Sequence, residues 1–239
     1  TNHTGDFDYN LTSIVVGSDL IHNENNTLGV FASIGSIEMD EHDHINQSIE
    51  GDIVHIGAYH QYRLASGIDI NSMADISYGM YDTERQNLDP AGGYADKSEA
   101  NFNSVGATIG VKLSKVFAVN EAVAITPSLG VTYTKIQQDS IKEKKGGLAY
   151  NYKIDSADAD AVVANIGLDT SYQFDNNETP MILDLRLRYE YDAYANSNST
   201  HDINAGVAGQ DKHTFVGQNR GENGFVVGLG LAGELAGNM

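Results

Sequence analysis

Between Leu183 and Asp192 the chain alternates without a fault. Leu183, Leu185, Leu187, Tyr189 and Tyr191 fall on one side of an extended backbone, and Asp184, Arg186, Arg188, Glu190 and Asp192 on the other. A side-chain period of two belongs to a β-strand, here one with an apolar face and a charged face. The pattern recurs and predicts about nine strands. They are expected near Phe7–Asp19, Thr27–Ile37, Gly51–Leu64, Ile68–Thr83, Phe102–Ser114, Ala122–Ile136, Ala161–Phe174, Leu183–Asp192 and Gly224–Leu235. The facing of the first is ambiguous. In the fourth, Ile68, Ile70, Ala74, Ile76, Tyr78 and Met80 oppose Asp69, Asn71, Asp75, Ser77 and Gly79. In the fifth, Val105, Ala107, Ile109, Val111 and Leu113 oppose Ser104, Gly106, Thr108, Gly110 and Lys112.

Strand length separates this pattern from an ordinary sandwich. Several runs reach about twelve to sixteen residues, against about five or six in globular proteins and the ~9–11 that cross a bilayer at a tilt. The connections alternate in length. His22–Asn26, Ala65–Gly67, Val116–Glu121 and Asp175–Pro180 are short, whereas Glu38–Glu50, Glu84–Ala100, Gln137–Asp160 and Ala195–Asn223 are long. Short turns at one end of an antiparallel meander and long loops at the other are the layout of an outer-membrane β-barrel, with turns in the periplasm and loops outside. The long loops carry acids such as Glu38, Asp40, Glu41, Asp43, Asp155, Asp158 and Asp160, giving a solvated acidic rim. Tyr59, Tyr62, Tyr78, Tyr81, Tyr133, Tyr172, Tyr189, Tyr191 and Tyr194 lie towards strand ends, which suits an interfacial girdle.

Composition changes this picture little. In 239 residues no stretch approaches the ~20 consecutive apolar residues of a membrane helix, but a barrel needs none, because half of each strand faces a polar lumen. There is no cysteine, hence no disulfide, thiolate nucleophile or cysteine metal site. A formal net charge of −19 argues against nucleic acid, whose phosphates demand Lys and Arg. Thr1-Asn2-His3-Thr4-Gly5-Asp6 is polar and acidic and is no secretory signal; if the protein is exported, its signal is expected upstream.

Little in the chain points to catalysis. Gly17-Ser18-Asp19-Leu20 lacks the Gly-x-Ser-x-Gly order of a nucleophile elbow and reads as a strand end entering a turn. Asp40, His42, Asp43 and His44 lack the spacing of a defined metal site. Asp155, Asp158 and Asp160 lack the glycine and the distal glutamate of a calcium loop. Asp40, His42, Asp82 and Asp202 are the candidates for rim catalysis, with nothing in the sequence to bring them together. The expectation is therefore no enzyme, no cofactor and no metal. The informative residues are those of the wall. Asp69, Asp75, Asp169, Asp184, Arg186, Arg188, Glu190 and Glu234 are expected to line the lumen, because charge at membrane depth is tolerated only facing water or another charge. Ile70, Ile76, Ile125, Leu129, Leu168, Leu183, Leu185, Leu187 and Leu229 are expected to face lipid.

Three groups of segments carry a resemblance. Val54-His55-Ile56-Gly57-Ala58-Tyr59-His60-Gln61-Tyr62-Arg63 passes through a tight turn into Gly67-Ile68-Asp69-Ile70-Asn71-Ser72-Met73-Ala74-Asp75-Ile76-Ser77-Tyr78-Gly79. Ser104-Val105-Gly106-Ala107-Thr108-Ile109-Gly110 follows, then Ile125-Thr126-Pro127-Ser128-Leu129-Gly130-Val131-Thr132-Tyr133. The last is Asn219-Arg220-Gly221-Glu222-Asn223-Gly224-Phe225-Val226-Val227-Gly228-Leu229-Gly230. Together they resemble the C-terminal β-domain of autotransporters, the translocators of type V secretion, over nearly the whole chain. The resemblance implies a single twelve-stranded all-β barrel in the outer membrane of a Gram-negative cell. It implies export of an N-terminal passenger in cis to the cell surface, with a helix or extended linker threading the pore. It also implies assembly by the outer-membrane insertion machinery, contact with outer-membrane lipid, and no cofactor. Nine strands against twelve leave three to account for, one before Thr1 and a closing hairpin after Met239, so a fragment is expected. The alternatives are another outer-membrane barrel, such as a small porin or a surface adhesin with ligand-binding loops, and a soluble all-β binding protein.

Overall fold

The computed structural model describes residues 7–41, 46–88, 93, 96–147, 150–176, 179–195, 202–207, 213–216 and 221–233. Among these there is no helix. Nine long strands form one antiparallel sheet: β1 (Phe7–Asn23), β2 (Asn26–Glu41), β3 (Gln47–Arg63), β4 (Ile68–Arg85), β5 (Ser98–Lys115), β7 (Val123–Gln138), β10 (Ala157–Asn176), β11 (Thr179–Asp192) and β14 (Asn223–Gly233). Their spatial order is their chain order, so the sheet is a meander. It curls into a half-barrel. The short β6 (Phe117–Ala118) pairs with β7 at the turn end. Beyond the opposite end a small sheet, ordered β13-β12-β9-β8, collects β8 (Ile141–Lys142), β9 (Tyr152–Ile154), β12 (Asp202–Val207) and β13 (His213–Val216) from two long connections.

The nine strands are the nine that alternation predicts, and most are longer. Strand β10 has 20 residues and β4 and β5 have 18 each, well past the ~9–11 of a tilted membrane crossing. The excess lies mostly on the loop side. There, the connection expected as a long loop, Glu38–Glu50, is largely strand, and only residues 42–46 join β2 to β3. The antiparallel ladder continues there through Glu38↔Glu50, Met39↔Ile49 and Asp40↔Ser48.

Local chemistry sets the ends. The β3–β4 turn closes through Gly67 N donating to Leu64 O at 2.8 Å, with Gly67 at φ 76°, where a side chain would be strained. Pro127, which has no N–H to give, stands where β7 changes partner: Ser128 is the last residue paired with β5, and Ile125 the first paired with β6.

Curvature has a visible cause. Several glycines of one face have bare Cα positions covered by an aromatic ring from a neighbouring position. Phe31 covers Gly57, Tyr59 covers Gly29, and Tyr81 covers Gly51 and Gly79. Glycine lets the sheet bend inwards and the ring fills the vacated space. The same face holds the most shielded positions of the sheet, including Asp69, Asp75 and Gly79, and is the concave one. A Cβ at Gly57 would lie 2.5 Å from the Phe31 ring and 2.7 Å from the Ala74 carbonyl oxygen. At Gly228 the nearest atom would be Arg186 Cβ at 3.6 Å. Gly57→Ala is therefore expected to cost about 1–3 kcal/mol through overpacking. Gly228→Ala is expected to stay within about 0.5 kcal/mol. Urea unfolding in detergent, followed by gel mobility of the heat-resistant form, measures both.

Candidate functional site: a two-faced wall and its loop-side rim

In an antiparallel ladder, directly paired residues share a face, so the register assigns every side chain. Ile70 pairs with Leu113, Ile76 with Ile56 and Ala107, Leu129 with Ile166, and Thr170 with Ile125. Leu168 pairs with Leu187, Leu183 with Tyr172 and Leu231, and Leu185 with Leu229. All nine residues expected to face lipid therefore stand on the convex face, where Ile76 is 64% exposed and Leu229 78%. On the concave face stand Asp69, Asp75, Asp169, Asp184, Arg186, Arg188 and Glu190. Glu234 lies outside the described residues.

Most of the concave charges have hydrogen-bonded partners. Arg63 grips Asp69 through Nε–Oδ1 at 2.7 Å and Nη2–Oδ2 at 3.0 Å, a bidentate contact that orients both groups. His55 Nδ1 donates to Asp75 Oδ1 at 3.1 Å. Arg186 Nε reaches Asp169 Oδ1 at 3.3 Å, Ser171 Oγ donates to Asp184 Oδ1 at 2.5 Å, and Arg188 lies 3.6 Å from Glu190. The first two pairs tie β3 to β4 and the next two β10 to β11, whereas Arg188 and Glu190 are neighbours on β11 itself. Between these pairs a hollow of about 340 Å³ is lined by polar residues such as Gln61, Asn71, Lys112 and Asn165 together with Tyr59 and Met73. Such a surface can offer hydrogen bonds to water or to a polypeptide, with apolar contact from Tyr59 and Met73 beside them.

The tyrosines divide. Tyr62, Tyr78, Tyr133, Tyr172, Tyr189 and Tyr191 are convex and fit a girdle; Tyr59 and Tyr81 are concave and cover glycines. The residues considered for chemistry do not converge. Asp40 and Asp82 share the convex face two strands apart on different rungs. His42, Asp43 and His44 lie outside the described residues, as does the side chain of Asp202. Asp158 accepts from Lys135 Nζ at 3.3 Å and Asp160 from the Tyr133 hydroxyl at 2.6 Å. Among the described residues no cluster of three or more His, Asp or Glu could hold a metal.

The register also reveals a feature that alternation over the central residues misses. Near the loops the faces exchange character. On the convex face Glu38, Glu50 and Asp82 stand side by side on one rung, and Asp40, Ser48 and Glu84 on the next. On the concave face one rung reads Leu11, Ile37, Gly51, Tyr81, Phe102, and the next Tyr9, Met39, Ile49, Thr83, Ala100. Tyr81 and Phe102 stack with ring centres 4.9 Å apart. The apolar series of β2 thus passes from even positions (Leu28, Val30, Ile34) to odd ones (Ile37, Met39) within one strand.

Above this apolar rim sits a clasp. Arg85, one rung further on the concave face, holds Glu143 through Nε–Oε1 at 3.0 Å and Nη2–Oε2 at 2.6 Å. It also donates to the Tyr150 carbonyl at 2.8 Å and lies 4.4 Å above the Tyr152 ring. Glu143 accepts in addition from Tyr152 N at 2.7 Å. Beside it, Asn87 donates to the Asp96 carbonyl and to Ser98 Oγ, and Ser98 Oγ donates to Asn151 Oδ1 at 3.1 Å. No sequence signal announces this cluster, because Arg85, at the end of β4, and Glu143, in the connection after β7, stand 58 positions apart.

Comparison with known proteins agrees with this geometry. The family model described as the autotransporter beta-domain matches residues 1–239. Among solved structures, the translocator domain of the autotransporter NalP from Neisseria meningitidis superposes with a TM-score of 0.66 at 17% identity, covering 98% of this chain and 82% of that one. The beta domain of the Bordetella autotransporter BrkA gives a TM-score of 0.56 at 14% identity, covering 95% and 90%. No curated protein sequence matches.

Asp69 is almost wholly buried, while the Arg63 side chain is half exposed. Arg63→Ala strands the carboxylate and is expected to cost about 1–3 kcal/mol. Arg186→Ala, whose pair is open to solvent on both sides, is expected to cost at most about 1 kcal/mol. Paired unfolding curves in one detergent distinguish the two.

Proposed function

Because the chain belongs to the autotransporter beta-domain family, we propose that its sheet is the wall of a conduit, with the concave polar face towards the lumen and the convex apolar face towards lipid. Members of this family are outer-membrane translocator barrels of type V secretion, transport devices that act on a passenger carried in cis. What supports the facing in this chain is the segregation itself. The nine residues Ile70, Ile76, Ile125, Leu129, Leu168, Leu183, Leu185, Leu187 and Leu229 share one face, and the paired charges Asp69, Asp75, Asp169, Asp184, Arg186, Arg188 and Glu190 share the other. An unpaired acid in hydrocarbon is costly, whereas in a water-filled lumen the same acids are solvated and paired. In this reading the chain is one β-domain with no catalytic activity of its own, and Glu234 belongs to the lumen set.

The loop side is assigned to the cell exterior and the short turns to the periplasm. Acidic rungs such as Glu38, Glu50 and Asp82 on the convex face support this, since that part of the wall must stand clear of the hydrocarbon. Among the described residues β1 and β14 each have a partner on one side only. A membrane tolerates no such edge, so further strands close the wall, three in a barrel of twelve. Assembly then depends on the outer-membrane insertion machinery, which folds such barrels into lipid.

The decisive experiment places a reporter passenger ahead of the β-domain in the full-length protein and measures its access to protease on intact cells. Surface exposure that needs the β-domain supports translocation. A stable barrel that leaves the reporter inside favours a porin or adhesin. Facing is tested separately. Leu185→Arg is expected to cost roughly 2–4 kcal/mol if this position lies near the bilayer midplane, and Arg186→Gln much less. Equal tolerance at both positions, read from folded protein in isolated outer membranes, would count against the facing.

A further inference from the structure

We infer that the convex face carries a binding site for one anionic glycerophospholipid, with the lipid phosphate on Lys115 and an acyl chain in the apolar hollow beside it. The inference rests on the reading of the convex face as the lipid-facing one. It goes beyond immersion in lipid by naming a fixed position and a headgroup charge.

The hollow has a structural origin. Two successive convex rungs of large apolar side chains wall it towards the turn side. One ends in Tyr189 and Phe225, a paired couple with ring centres 5.2 Å apart. The other holds Leu168, Leu187 and Val227. Between them Ser114 and Ser128 send their side chains to the concave face and Gly167 has none, so the floor is backbone. The ladder lapses here between Ser114↔Ser128 and Phe117↔Ile125, where Pro127 has no N–H to give. The result is a hollow of about 890 Å³ bordered mainly by apolar side chains. An acyl chain laid between the rungs gains dispersion contacts on both flanks that a smooth wall does not give.

Charge decides the occupant. On the convex face Glu38, Glu50, Asp82 and Glu84 stand together at the loop side. At the turn side Lys115 and Arg188 border the hollow and no carboxylate does. Arg188 belongs to a concave rung, which leaves Lys115 as the convex charge. Lys115 stands opposite Ile68 on the ladder, and its ammonium lies 5.5 Å from the centre of the Phe117 ring. Among the described residues it has no carboxylate partner. A lysine at a membrane surface attracts anionic headgroups. Its stem lies along apolar surface while the ammonium stays at headgroup level. The ammonium of a zwitterionic headgroup meets no acid beside the hollow, so the site selects a lipid whose headgroup is negative.

The test uses the full-length protein, delipidated in mild detergent and incubated with dioleoyl phosphatidylglycerol or dioleoyl phosphatidylcholine. Native mass spectrometry counts the lipid retained. The native protein is expected to keep one phosphatidylglycerol per barrel and several-fold less phosphatidylcholine. Lys115→Gln is expected to lose phosphatidylglycerol several-fold, and Lys115→Arg to keep it, in barrels with normal heat-modifiable mobility. Lys112→Gln, on the opposite face of β5, is expected to keep it as well. A native protein that retains no phosphatidylglycerol, or a Lys115→Gln barrel that retains as much as the native one, overturns the site. Release of the lipid by excess inorganic phosphate also overturns it, because the hollow then contributes nothing. If Lys115→Gln changes nothing while Leu185→Arg destabilises the barrel, the facing stands and only the site is lost. If Lys112→Gln loses the lipid and Lys115→Gln does not, lipid lies on the concave face, and the facing fails together with the site.

Discussion

A peptide group in hydrocarbon has no water to bond with, so every N–H and C=O that enters the membrane must find its partner in the protein. The other features of this chain follow from that demand. A meander of long antiparallel strands meets it between neighbours, and the register of each pair runs without interruption over most of its length, with one irregularity at Asp19/Ile21 of β1. Glycine and aromatic residues then serve the curvature that such a sheet needs. Phe31 over Gly57 and Tyr59 over Gly29 let the wall bend inwards without leaving a gap. Tyr59 is anchored in turn by its hydroxyl donating to Asp19 at 2.5 Å, so the ring that permits the bend also ties β3 to β1 across β2.

Once the backbone is satisfied, the side chains sort by solvent, and the sorting changes along the strand. In the middle of the wall the convex side is apolar and the concave side polar. Towards the loops the order is reversed, with Glu38, Glu50 and Asp82 outside and Ile37, Tyr81 and Phe102 inside. Like charges directly opposite one another are unfavourable, and high-dielectric solvent is what makes such a row tolerable. At this height the sheet has the sorting of a soluble one, with charged residues on the convex side and its own loops on the concave side. Ile141, Glu143 and Tyr152 are the loop residues that meet it.

How much of this was legible in the sequence depends on the range of the interaction. The nine strands and their faces are local, because a period of two is written in adjacent residues, and Leu183–Asp192 needs no partner to be recognised. Strand ends were less legible. Glu38–Glu50 reads as a charged loop because acids are usually loop residues, yet its acids alternate with Met39 and Ile49 and extend the ladder. Tyr59 and Tyr81 were read as interfacial from position alone, and only the register places them over glycines. The ion pairs were half legible: Arg63 and Asp69 flank one tight turn, whereas His55 and Asp75 meet only once β3 and β4 are in register. The clasp was not legible at all, since Arg85 and Glu143 carry no pattern until the end of β4 and the connection after β7 are folded together.

That difference in legibility is itself physical. A wall must be encoded redundantly, because one slip of register would move every leucine of a strand to the polar face and every acid to the apolar one. The clasp rests on single residues with no repeat: Arg85 ends β4 and Glu143 lies between β8 and β9, next to a buried amide oxygen of Asn87 without a hydrogen-bond partner. The same chain thus places its strongest and most repetitive signal where the structure must not move. Its least predictable contacts lie at the loop-side rim, where connections meet the ends of strands.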